Sequence, residues 1–353
     1  MRISGFPAFI LTAALLLFAG HPLRADEHIQ SPTGDLRTAV LTDLKPHSSG
    51  SKTYNEFWTY QFALDGNIQA VLNFSRVNLG SFKSPVCGAD FTLLGFNGKN
   101  YSVAREYEKR NFVFTDSNQQ LSVHEKIRFE GKLPDTHRVR FATTKRDVAY
   151  FLDLTFTDIL PGKIWGDGMF KFGTSDAVGI YIHIPSAKVS GRLAIDKDTI
   201  AVSGTAYMDH TFQTDLAPAL VSSGFRYVSQ GQPLEVGYLL DPASKYSQMV
   251  VGYGLRESGG NFTLLKPTDM KTVSAGKAME VKVATEVEFT FSDGSKSLLT
   301  RREDRLQQST LNEFSGLTKM AIKSFMGGEV ISFKGQGKIN NSRAMAYNYF
   351  RVK

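Results

Sequence analysis

Residues 279–291 change character at nearly every step. Val281, Val283, Val287, Phe289 and Phe291 fall on one face of an extended chain, and Glu280, Lys282, Glu286 and Glu288 on the other. A period of two with one charged side predicts a strand with one face in water and one in a core. The same alternation recurs at Val148–Phe156, at Val178, Ile180, Ile182 and Ile184, and at Met249, Val251, Tyr253 and Leu255. Turn signals separate such runs: Asp65-Gly66, Asn97-Gly98, Asp241-Pro242, Gly259-Gly260 and Asp293-Gly294. Short strands at this spacing build an all-β sandwich or barrel. Glycines inside strands (Gly179, Gly237, Gly252, Gly254) favour the barrel, because closure needs bends and bulges. The strands suffice for two antiparallel barrels in tandem, with a seam at Ile184-Pro185-Ser186, where proline interrupts pairing. That reading gives a leader at 1–25, one barrel at 26–185 and a second at 186–353.

One segment breaks the pattern. Asn312–Met326 carries Phe314, Leu317, Ala321, Ile322 and Phe325 at helical spacing, flanked by Lys319 and Lys323. A short C-terminal helix is expected there, packed across a barrel end or serving as a membrane-surface or ligand-gate helix.

The first residues read as an export leader. Arg2 precedes an apolar run from Phe6 to Gly20, and Leu23-Arg24-Ala25 is an acceptable cleavage site. The run is shorter than the roughly 20 residues a spanning helix needs. A periplasmic location follows as an expectation. The lone cysteine, Cys87, excludes an internal disulfide, so the core alone must hold the fold; it reads as a buried apolar thiol. The formal charge of +7 falls to +5 once Arg2 and Arg24 are gone, and it is spread along the chain. That suits transient contact with an anionic membrane surface and is no nucleic-acid footprint.

Chemistry has few places to sit. There is no G-x-S-x-G elbow, P-loop or HExxH helix, and the seven histidines show no metal-ligand spacing, so no metal or cofactor is expected. Asp209-His210 follows Tyr207 at the end of a strand pattern. Carboxylate and imidazole side by side do acid–base work if they converge on a cavity. Adjacent strand residues point to opposite faces, however, so they share a site only where the strand bends or ends. Otherwise Asp209 caps a turn and His210 bonds a backbone carbonyl. Tyr181 and His183 share a face of the preceding strand. Glu56-Phe57-Trp58-Thr59-Tyr60 sets a carboxylate among aromatics, as a cavity wall or as core.

The segment Gly204-Thr205-Ala206-Tyr207-Met208-Asp209-His210-Thr211-Phe212, with Glu56-Phe57-Trp58-Thr59-Tyr60 before it, resembles the lipocalin-like AttH and carotenoid 1,2-hydratase superfamily. Phe225-Arg226-Tyr227-Val228, Asp241–Tyr246 and the helix around Phe314–Phe325 resemble the yeast survival-factor lipocalin-like proteins. The resemblance implies two lipocalin-like barrels with an apolar ligand at or between them. It implies His210 as an acid for water addition to an isoprenoid double bond, with Phe212 standing at the family's tryptophan. Two readings follow. One is a periplasmic carrier of a lipid or isoprenoid, with Phe212, Trp58, Tyr60, Glu56, His183 and Tyr181 lining its site. The other is a hydratase, cyclase or isomerase acting on an apolar polyene through Asp209, His210 and Tyr207.

Overall fold

The computed structural model describes residues 28–353 apart from 48, 81–83, 247–249, 312–315 and 341. The leader, Met249 and Phe314 lie outside the described residues. Two antiparallel sheets make up the chain. In the first, the strands run in the order 99–108, 86–96, 68–77, 55–64, 198–213, 176–195, 148–157, 136–145, 127–132, 120–124 and 113–115. In the second, the order is 261–265, 251–258, 234–242, 221–230, 342–352, 330–339, 296–309, 281–291 and 267–278.

Closure follows from chain order. The first and last strands of each path are consecutive in sequence: 99–108 leads to 113–115, and 261–265 leads to 267–278. A sheet whose two edges are joined by one to a few residues must curl until they meet. Side chains from distant places in each path accordingly touch. Phe91 and Phe141 lie 5.1 Å apart between ring centres, Phe74 and Phe129 5.5 Å, and Phe225 and Phe289 5.7 Å. The expected all-β, two-barrel fold with a short C-terminal helix is what the chain adopts.

The first barrel is filled. Tyr60, Phe62, Phe74, Phe91, Phe129, Phe141, Leu152 and Met208 are fully buried in one cluster. Each such side chain contributes about 1.5–3 kcal/mol through burial, which is how a chain without disulfides holds together. Cys87 belongs to the same cluster, and burial pushes its thiol up to about 11, so it is inert packing.

Two expectations are corrected. Pro185 ends no domain: the strand Asp176–Ile195 runs through it, absorbing the missing donor in register shifts between Ile182 and Ala187. The seam lies instead at 214–220, between the last strand of the first sheet and Val221 of the second. Met279 and Glu280 are not strand residues. With φ of 48° and 64° they form the two-residue turn between Pro267–Ala278 and Val281–Phe291. The expected helix is present over Gly316–Met326, residues 312–315 lying outside the described residues; Ile322 is buried, and Lys319 and Lys323 reach Glu329 at 3.0 and 3.8 Å.

Candidate functional site

His210 sits on the strand Asp198–Gln213, opposite Trp58 on Asn55–Leu64 and Tyr181 on Asp176–Ile195. The strand is regular here, so Asp209 and His210 face opposite ways and serve two different surroundings.

On the inner side, the His210 ring lies flat against Trp58, 4.3 Å between centres and 12° from parallel. Its Nε2 is 2.9 Å from Glu56 Oε1 and its Nδ1 is 2.8 Å from the Asp43 carbonyl oxygen. Both partners are acceptors. A proton must therefore lie between Nε2 and Oε1, since two lone pairs would otherwise face each other, and a doubly protonated ring satisfies both contacts at once. Burial alone would raise the Glu56 carboxyl, but hydrogen bonds from His210 and His47 outweigh it and hold it below the usual carboxylate range.

The segment 39–54 crosses this end of the barrel and supplies backbone to the site. Trp58 Nε1 donates to Leu44 O at 3.0 Å, and the His47 backbone N–H donates to Glu56 Oε1 at 2.7 Å. Arg37 grips Asp43 with two bonds of 2.7 and 2.8 Å, which fixes the residue whose carbonyl meets His210. The His47 ring packs 4.4 Å from Phe212 and 5.2 Å from both Tyr181 and His210. Two glycines make room for these rings. A Cβ on Gly179 would stand 2.2 Å from the Phe212 ring, and one on Gly168 would stand 2.7 Å from Tyr181. His183 lies 6.0 Å from His210 beside a cavity of about 40 Å³, and burial drives its imidazole down to about 3, so it is neutral. Four buried polar atoms of the cluster have no hydrogen-bond partner: Glu56 Oε2, His47 Nδ1, Tyr54 OH and His183 Nε2.

On the outer side, Asp209 accepts from Arg226 Nε and NH2 at 2.5 and 3.0 Å. Arg226 belongs to the second barrel, on Val221–Gln230, and stacks over Tyr238 at 4.3 Å. Arg226 and Tyr238 form one wall of a cavity of about 150 Å³ between the sheets, shared with Thr59, Asn73, Asp90 and Lys334. Tyr207 is buried on the same side, packed with Ile180 and Tyr253.

Of the residues singled out from sequence, the fold gathers Glu56, Trp58, Tyr181, His183, His210 and Phe212. It places Tyr60 deeper, bonded through its hydroxyl to His137 Nε2 at 2.8 Å. It sets Asp209 and Tyr207 apart, because odd and even strand positions cannot share a face. Asp209 is therefore a docking residue and not the partner of His210; Glu56 is. Sequence reasoning missed His47 and the Asp43 carbonyl, for which no motif exists. It also passed over Arg226, whose readable signal was a lone cation between Phe225 and Tyr227.

No family model matches the sequence, and no curated protein matches it. Solved structures do match. A Nitrosomonas europaea protein provisionally assigned as AttH aligns at 12% identity over 92% of this chain and 99% of its own, with a TM-score of 0.64. CghA, solved with Sch210972, aligns at 13% over 92% and 98%, with a TM-score of 0.58. Kievitone hydratase from Nectria haematococca aligns at 12% over 91% and 94%, with a TM-score of 0.53. The chain has the AttH-like fold. In this AttH-like frame the two motif segments, about 150 residues apart, are neighbouring strands: Glu56 pairs Phe212, Trp58 pairs His210 and Thr59 pairs Asp209.

Proposed function

We propose that this chain is an enzyme that adds or moves protons on an apolar, unsaturated substrate, with hydration of a carbon–carbon double bond as the reaction class. One observation carries the reading: a histidine held between two acceptors, in contact with a tryptophan face and screened from water. His210 Nε2 gives its proton to an alkene carbon, and the cation that forms is stabilised by Trp58, Tyr181 and Phe212. Water attacks the cation, its surplus proton passes to Glu56, and Glu56 returns that proton to His210. The reaction adds one water and leaves the pair as it began. His210 and Glu56 are fully buried, so substrate reaches them only when the segment bearing Asp43, Leu44 and His47 moves aside.

The shared fold of kievitone hydratase supports this reading over that of a cargo carrier. Cargo held inside the first barrel would have to displace Phe62, Phe74 and Phe129 from a packed interior. The periplasm as the place of action is part of the proposal and rests on the leader sequence alone.

The test is turnover of a panel of isoprenoid polyenes in ¹⁸O-water, read by mass spectrometry. Wild type yields a product heavier by one labelled water, and His210→Gln lowers the rate about 10²- to 10⁴-fold, the usual worth of a general acid. Unchanged turnover in the folded variant overturns the proposal. Lipid co-purifying unaltered with the chain would return the carrier reading.

A further inference from the structure

We infer that His47, Glu56 and His210 form a binding site for one divalent transition-metal ion, zinc being the ion the donors suit. One donor atom from each residue lies within 4.8 Å of the other two. Glu56 Oε1 is 2.9 Å from His210 Nε2 and 3.4 Å from His47 Nδ1. Zinc bonds of about 2.0–2.2 Å set neighbouring donors roughly 3–3.5 Å apart, so both donor pairs that include Glu56 already stand near that spacing.

Four further observations point the same way. His210 offers its far nitrogen, Nδ1, to a backbone carbonyl, the outer bond that orients a ligating imidazole. Glu56 Oε2 and Tyr54 OH are buried here without hydrogen-bond partners, and both residues are at most 1% exposed. Burying such atoms unsatisfied is costly, and an ion with its water would satisfy them. His47 is 29% exposed, which gives an ion an entrance that the buried pair alone lacks. Two imidazoles with one carboxylate exclude the oxygen-seeking calcium and magnesium and match the His₂Glu set that leaves zinc an open position. The inference does not depend on the hydratase reading. The ion would take the place of the proton between His210 and Glu56, so these atoms hold one or the other.

The test uses the full chain, stripped with a chelator and titrated with zinc chloride alone by calorimetry, and with cobalt(II) followed by its visible absorption. One ion per chain is expected. His47→Ala removes a partly exposed ligand with little risk to folding, which its thermal melt checks, and should weaken binding about 100-fold. Failure to bind one ion, or equal affinity in folded wild type and His47→Ala, overturns the site. Neither readout uses turnover, so loss of the metal site and loss of the hydratase reading are told apart.

Discussion

His137 and His183 are buried away from water, and burial takes each imidazole from 6.5 down to about 3. The sign follows from linkage. Below pH 6.5 the unfolded chain binds a proton at each position that the folded chain refuses until about pH 3. Stability is thus full above pH 6.5 and falls with pH, by up to about 1.4 kcal/mol per unit for each histidine. Between pH 7 and pH 5 the pair should cost about 4 kcal/mol of unfolding free energy. Glu56 adds to the loss at lower pH, because its carboxylate, held below the usual range, loses its contribution as pH falls through the folded value. Urea unfolding at the two pH values measures this. His183→Asn should halve the drop, and equal stability at pH 7 and pH 5 would show that these imidazoles are not held neutral. The period of two made the His210 face legible from the sequence. Glu56 was legible as a site residue but not as the partner of His210, from which it stands 154 positions away, and the Asp43 contact uses a carbonyl that every residue owns.

At the scale of elements, the strands were readable because one face of each is apolar, whereas turns lacking glycine were not. Met279-Glu280 adopts two left-handed conformations in succession, the geometry usually given to Asn-Gly. Met279→Asn should stabilise the hairpin by several tenths of a kcal/mol, up to about 1, a gain visible as a raised Tm. Lost stability would mean that Met279 packs more than it strains. Gly179 tests the other side of this reading. The sequence showed it as a bend, but the structure shows the floor on which Phe212 lies, 2.2 Å from any added methyl. Gly179→Ala must expel that ring and should cost about 1–3 kcal/mol, as overpacking does. Denaturant titration reads the loss, and Phe212→Ala in the same background should recover part of it. Pro185 misled because proline interrupts pairing only where a donor is required, and register shifts on either side of it remove that requirement.

For the whole molecule, the joint between the barrels turns on Asp209 and Arg226. Arg226 cannot give up its proton, and burial pushes the Asp209 carboxyl up even against that charge. Arg226→Met leaves a buried carboxyl without its cation and should destabilise the chain by about 3–5 kcal/mol. The double change, Arg226→Met with Asp209→Leu, should recover most of that. Chemical denaturation of both variants decides it: a double variant as weak as the single one would mean that the pair does more than neutralise itself.

Asp209 and His210 are consecutive, so a single peptide unit, about 3.3 Å of strand, spans the distance from the proton-holding imidazole to the joint. The strand is a lever with one load on each face. On one face stands the imidazole that meets the Asp43 carbonyl, on the other the carboxylate that seats the Arg226 fork. One backbone step therefore separates the buried imidazole of the first barrel from the seat of the second.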